Sequence, residues 1–364
     1  MWDLAVREED LEAADSMLRR YHGSAPLSMR LLSAFVREDS TARQHALEEA
    51  RGADNRQPQI AARFFATYRE DYATAEQLAR LSLAPGRRPA LRAGAQQLLA
   101  WLAVARGRWS GARTSFAAAE GIEGASPPVS VSLALAATLP FLPVPAADRA
   151  AAREEIRRWS PTDGTPEGGL PLALAPHLRL YLLGLLSSGL GDAAAASRTV
   201  AELERIPAPP EAREAVRALA QAIRADLAWR SGRWAEALAA LETIQGAVPL
   251  EFVDLPLYAT VRAYTQEPAR YLRAEVLHRL GRDADALRWL QASFQGAPNE
   301  FVFLAPAHLL QAEIYQRLGD RVKAAEHYRR AINLWQDCDP ELRPRLQQAR
   351  ARLAEIRGSS PRGS

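Results

Sequence analysis

Apolar and small side chains fall along this chain in short helical blocks, and the blocks come in couples separated by brief turns. The clearest couple spans 306–331, PAHLLQAEIYQRLGDRVKAAEHYRRA. It predicts two helices back to back around a turn at Leu318, Gly319, Asp320 and Arg321. Ala312 before the turn and Ala324 and Ala331 after it stand where the helices would touch. Leu309, Ile314, Tyr315, Leu318 and Tyr328 are placed to fill the faces between neighbouring couples.

The same frame recurs upstream. Gly107, Gly191, Gly232 and Gly281 match Gly319. An alanine follows each by five residues, at Ala112, Ala196, Ala237, Ala286 and Ala324. A small residue precedes each by seven, at Ala100, Gly184, Ala225, Ala274 and Ala312. Antiparallel helices approach closely only where neither carries a bulky side chain at the crossing. Nearer the N-terminus the glycine is lost, and Glu9, Glu38 and Glu70 mark the frame. Ala14 and Ala75 keep the small position, whereas Arg43 breaks it.

Between Gly107 and Gly191 there is room for one further, degenerate couple, predicted over 128–139 and 146–159 and joined by FLPVPA. A Pro- and Gly-rich stretch at 160–171, SPTDGTPEGGLP, reads as the clearest loop. A second departure lies at 246–268. The organisation expected is an N-terminal sub-array at 1–119, the degenerate unit and loop at 120–177 and a second array at 178–340. A polar capping helix at 341–357 and a disordered tail at 358–364 complete it.

These couples resemble the tetratricopeptide repeat (TPR) from about residue 4 to 331, although some marks are 41 or 49 residues apart against a usual period of about 34. YLRAEVLHRLGRDADALRWL at 271–290 and the stretch 304–342 are similar to C-terminal TPR regions of bacterial serine/threonine kinases and multi-domain regulators. The resemblance implies an all-α, right-handed α-solenoid of about eight or nine helical hairpins with a capping helix. It implies a regulatory or signalling setting and no activity. No Gly-rich phosphate loop, His-Arg-Asp catalytic loop or Asp-Phe-Gly is present.

Composition changes this picture little. The chain has 364 residues, 48% hydrophobic and 24% charged, with a net charge of +3, so a phosphate-backbone partner is not indicated. Lys323 is the single lysine among 46 basic residues. The arginine excess reads as the codon usage of a GC-rich bacterial genome, not as selected guanidiniums. Cys338 stands alone, so no disulfide forms within the chain. The first residues, MWDLAVREEDLEAADSM, lack a basic and an apolar signal region, and a cytoplasmic location is expected. The apolar stretches 129–144 and 170–190 are broken by Pro140, Pro143, Pro171 and Pro176, so neither is expected to span a membrane.

No catalytic residue, metal site or cofactor is expected. The six histidines show no metal-ligand spacing, and His308 and His327 are placed to meet in a packing role. Trp109, Trp234, Trp289 and Trp335 read as structural. In a TPR stack the first helices line the concave face. That places Phe64, Thr67, Gln97, Trp101, Tyr181, Asp226, Trp229, Tyr271, Glu275, His278, Glu313 and Gln316 along a candidate peptide-binding groove. Asp226, Glu275 and Glu313 form a row that also reads as solvated first-helix positions. The function expected is a non-catalytic scaffold that holds a protein or peptide segment. The alternative is a small-ligand sensor, with its pocket near 120–177 or between the sub-arrays.

Overall fold

The computed structural model describes residues 16, 25–122, 129–161, 174–208, 210–244, 266–292 and 300–358. The unit marked by Glu9, most of the 160–171 and 246–268 departures and the tail from 359 lie outside these residues. The described chain is all-helical, with 17 α-helices in packed antiparallel pairs and no strand. The pairs run α1 (Leu27–Val36) with α2 (Ser40–Gly52), and α3 (Gln57–Tyr68) with α4 (Tyr72–Leu81). Next come α5 (Pro89–Ala105) with α6 (Trp109–Glu120), and α7 (Val129–Thr138) with α8 (Ala146–Arg158). Then follow α9 (Ala175–Gly189) with α10 (Ala193–Arg205), and α11 (Arg213–Arg230) with α12 (Trp234–Glu242). The last pairs are α13 (Glu267–Arg279) with α14 (Asp283–Ala292), and α15 (Leu304–Arg317) with α16 (Arg321–Leu334). Helix α17 (Arg343–Gly358) closes the chain.

The register glycines have a shared physical cause. Each sits just past the end of a first helix with positive φ, as do Glu38 and Glu70, over a range of 54 to 83°. The amide of Gly319 donates to Gln316 O at 3.2 Å and that of Asp320 to Tyr315 O at 2.9 Å. The same crossed pair recurs at Glu38, Gly107, Gly191, Gly232 and Gly281. This is the Schellman stop, which satisfies the last carbonyls of a helix and needs a left-handed residue. The following helix then starts on a side-chain cap: Asp39, Asp71, Asp192 and Asp320 accept from Ala42 N, Thr74 N, Ala195 N and Lys323 N. Turn and cap together fix these four pairs from a few local residues, while α6 and α12 start after Arg108 and Arg233 without a side-chain cap.

At the crossings Ala75, Ala100, Ala112, Ala196, Ala225, Ala237, Ala274, Ala286, Ala312 and Ala324 are fully buried. A Cβ on Gly184 would lie 2.6 Å from Ile223 Cδ1, so α9 and α11 touch at that residue. Each first helix packs on the first helix of the next pair, from α1 on α3 through to α13 on α15. The degenerate pair α7–α8 falls within two residues of its predicted bounds. Arg43 is exposed and lies over the Phe35 ring, so the α1–α2 crossing lacks its small residue. Leu318 was expected to fill an inter-unit face, but it is 55% exposed. As the residue just before the left-handed glycine, it sits on the outside of the turn, and Leu280 shares that fate.

The row of pairs closes on itself. The short turn Glu300–Phe303 packs on α3 and α5. Tyr72 Oη donates to Phe301 O at 2.8 Å, and Trp335 Nε1 donates to Ala105 O at 3.1 Å. The amide of Asp339 donates to Gly107 O at 3.0 Å, and its carboxylate accepts from Ser110 N and Oγ. Arg106 bridges Glu76, at 2.9 Å, and Asp337. Phe141, from the α7–α8 turn, packs edge-on against Tyr271 and Phe303, with Trp335 alongside. The C-terminal pairs therefore occupy the space beside the N-terminal ones. Helix α17 buries Leu346, Ala349, Leu353 and Ile356, its Arg345 and Gln348 line a cavity, and most of its other residues are exposed.

Two glycines with the same backbone separate turn from closure. A Cβ on Gly281 meets nothing within 4 Å, whereas one on Gly107 overlaps Leu342 Cδ1 and reaches Cys338 Cβ at 3.1 Å. Gly281→Ala is expected to cost about 1 kcal/mol, the left-handed penalty alone. Gly107→Ala is expected to cost at least about 1 kcal/mol more, because it also loosens the seam. Chemical denaturation of both variants measures this, and equal losses would show that the seam contributes nothing at this point.

Candidate functional site

The row of twelve groove residues does not form one open surface. Phe64, Thr67, Gln97, Trp101, Tyr181, Asp226 and Tyr271 are buried. Trp101 stands edge-on to Phe116 of its own pair. Gln97 accepts from Ser132 Oγ at 3.3 Å. Asp226 accepts from Ser188 Oγ at 2.5 Å and from Arg230 Nε at 2.8 Å. Tyr271 packs on Phe141 and Phe303. Chain closure and next-pair packing cover these side chains, so they do not form an open row along the first helices, and of the seven only Tyr271 reaches a cavity wall. Nor is Asp226 a solvated position.

The rest of the row, Trp229, Glu275, His278, Glu313 and Gln316, is partly buried and converges. All but Gln316 line one cavity of about 560 Å³, whose wall is completed by Pro140, Phe141, Tyr271, Arg279, Leu310, Arg345 and Gln348. A second cavity of about 360 Å³ adjoins it and adds Gln316, Arg317, Tyr328 and Arg352. Four helices and one turn build the larger space. Trp229 comes from α11, Glu275 from α13, Glu313 from α15 and Arg345 from α17. Pro140 and Phe141 enter from the α7–α8 turn because closure brings that turn against Tyr271 and Trp335.

The electrostatics of this cavity are uneven. Its arginines are engaged. Arg345 lies beside the Tyr271 hydroxyl and 5.8 Å from the Trp335 ring centre. Burial works against the Arg345 charge, yet Tyr271, Glu313 and Glu275 together raise its pKa. Arg317 pairs with Asp283, and Arg352 bonds Glu355 at 3.1 Å. Burial raises the pKa of Glu275, and Glu313 adds to the rise, against the opposing pull of Arg345 and Arg279. Its carboxylate reaches Arg279 only at 3.7 Å. Trp229 Nε1 is buried without a hydrogen-bond partner, although it lies close enough to Glu275 to favour that group's charged form. Glu313 makes no hydrogen bond or ion pair with the described residues. The carboxylates hold unused acceptor capacity in a confined space.

A second polar cluster sits on the seam. His308 Nε2 lies 2.9 Å from Glu70 Oε1, and His308 Nδ1 lies 2.9 Å from His327 Nδ1. Each contact needs one donor: a ring N–H at His308 Nε2 serves Glu70, and one of the two facing Nδ1 atoms donates to the other. Arg330 approaches Glu70 at 3.7 Å, and His327 stacks on Tyr315, which carries Lys323 near its other contacts. Burial and the neighbouring His308, Arg330 and Lys323 push the His327 pKa down to about 3, against the pull of Glu70. Burial alone would raise Glu70, but its bond to His308 and the nearby basic side chains hold its pKa below the usual value. The two histidines meet as the sequence indicated; their acidic partner from the α3–α4 turn had no signal in the pattern.

Arg345, Gln348 and Phe141 were likewise unforeseen. Nothing local distinguishes Arg345 from the other arginines of a polar terminal helix, and Phe141 lies in a degenerate turn. Among the described residues no group of His, Cys, Asp and Glu could hold a metal ion, and no helix is long and apolar enough to cross a membrane. Comparison with family models, with curated proteins and with solved structures finds no match.

The seam cluster gives a pH dependence with a defined sign. His327 is depressed from 6.5 to about 3, so its contribution is full above pH 6.5 and is lost as pH falls toward 3. Glu70, also depressed, adds a loss in the same direction at lower pH. The melting temperature is expected to fall by a few degrees between pH 7.5 and pH 5. His327→Gln keeps an acceptor without the titration and should flatten that interval. Identical pH profiles for the two proteins in thermal melts would refute the assignment.

Proposed function

We propose that this chain is a non-catalytic binding domain that takes a small ligand, or the end of a short segment, in the cavity between α11, α13, α15 and α17. The observation that carries this reading is the partly open polar cleft of about 560 Å³ with carboxylates, an arginine and a tryptophan from separate helices converging on it. Sites for small molecules have volumes of this order and a few placed polar groups. Pro140 and Phe141 of its lining come from 120–177, the segment in which the sequence suggested a sensor pocket as its second reading, and the rest comes from the C-terminal pairs and α17.

The helical pairs, their left-handed stops and their small-residue crossings support a TPR-like α-solenoid of eight or nine units, right-handed as that resemblance implies. A protein or peptide partner fits this reading where its end or a protruding side chain enters the cavity. The buried residues of the expected groove speak against a long segment laid along the first helices. A regulatory role in a bacterial cytoplasm accords with the resemblance noted above.

A thermal-shift screen tests the proposal. Amines, amino acids, carboxylates, sugars, nucleotides and short peptides would be titrated into the purified chain. At least one class is expected to raise the melting temperature in a saturable way. Gln348→Trp, which sets a large side chain across the cavity, should abolish that rise while leaving the helical circular-dichroism spectrum unchanged. The absence of any saturable shift, or an equal shift in the variant, would overturn the site.

A further inference from the structure

We propose that the cavity recognises an organic cation, an amine or guanidinium group, held by the Glu275 and Glu313 carboxylates beside Trp229. This inference rests on the cavity being the binding site. It starts from an inventory of donors and acceptors. The basic side chains on the walls of both cavities are engaged: Arg317 pairs with Asp283, Arg352 pairs with Glu355, and Arg345 stands beside the Tyr271 hydroxyl with Glu313 and Glu275 nearby. His278 Nδ1 lies 2.7 Å from Asp283 Oδ1. Gln316 Oε1 accepts from Tyr328 Oη at 2.7 Å. The unfilled positions are acceptors. Glu313 has no hydrogen bond or ion pair among the described residues, and Glu275 has Arg279 at 3.7 Å and the charge of Arg345 nearby but no close ion pair.

Charge leads to the same class. Two carboxylates face one interior guanidinium, Arg345, while Arg279 is 57% exposed at the rim and screened by solvent. Burying carboxylates with incomplete compensation is costly, and it favours protonation or an added cation. Burial raises the pKa of Glu275 in keeping with that cost. A bound ammonium or guanidinium would donate to both acids and relieve their mutual repulsion. Trp229 would shield these bonds from water, and its Nε1 sits beside Glu275 to donate as that carboxylate ionises. An anionic ligand would have to compete with Tyr271 and both acids for Arg345.

Isothermal titration of the full chain decides the matter. Agmatine and cadaverine carry the cationic groups, glutarate is a dicarboxylate of similar reach, glycerol is neutral, and magnesium chloride supplies an inorganic cation. An amidated tetrapeptide ending in arginine presents the same guanidinium on a peptide. Agmatine, cadaverine or the peptide is expected to bind, and the stronger of the free amine and the peptide identifies the source of the ligand. Glu313→Gln should weaken that binding at least about tenfold with no change in the helical spectrum. Glu275→Gln gives the same test should the first variant fail to fold. Binding of glutarate, glycerol or magnesium in place of the amines, or unchanged affinity in a folded Gln variant, overturns the cation assignment. If those other ligands lose affinity in Gln348→Trp, the cavity remains the site and the ligand class alone falls. If no probe binds, both readings fall.

Discussion

The architecture depends on one seam, where the C-terminal pairs meet the N-terminal ones. Trp335, Phe301 and Phe303 are buried there, and the backbones of Gly107 and Asp339 are joined by a hydrogen bond across more than two hundred residues. Burying one Phe-sized side chain contributes about 1.5–3 kcal/mol. Yet these groups meet only because every intervening pair turns by the amount its own packing dictates. The small residues at the crossings set how closely helices approach, and Gly184 against Ile223 shows how little tolerance remains. Local crossings and distant closure are thus parts of one geometric condition.

Closure also explains why the inner face of the row behaves differently along its length. Over α3, α5 and α9 the first-helix residues are sealed by neighbouring pairs and by the 300–303 turn. Between α11 and α17 the helices are held apart and a polar space is left. The α7–α8 turn, poor as a repeat, supplies the aromatic wedge Phe141 that defines one wall. In the reading proposed above, the irregular pair would serve to shape that wall.

The cavity and the seam follow different electrostatic rules. At the seam the charged groups pair with one another: Glu70 with His308, His308 with His327, Glu76 with Arg106 and Arg108, although Arg108 Nε is buried without a partner. Such a set favours a single arrangement, because any displacement strands a buried charge. In the cavity the acids outnumber their interior counter-charge and Glu313 is unbonded. A cluster of paired charges serves structure, whereas an unsaturated one beside a partly open cleft is suited to a ligand.

What the sequence determined was local. The register residues Gly107, Gly191, Gly232, Gly281 and Gly319 mark left-handed helix stops, Glu38 and Glu70 take the same conformation, and the alanines five residues on are buried at crossings. These features rest on interactions within about one helical pair, so they leave a periodic trace. Even the degenerate pair at 129–158 was legible from its prolines and apolar run. Only the tertiary structure decided that Trp101, Tyr181 and Tyr271 would be covered, that Glu275 and Glu313 would share a cavity, and that Arg345 would stand beside them. Closure joins residues more than two hundred positions apart, and contacts at that separation leave no periodic signature. An arginine in the last helix and a tyrosine a few pairs earlier carry no mark of their meeting until the curvature brings them together.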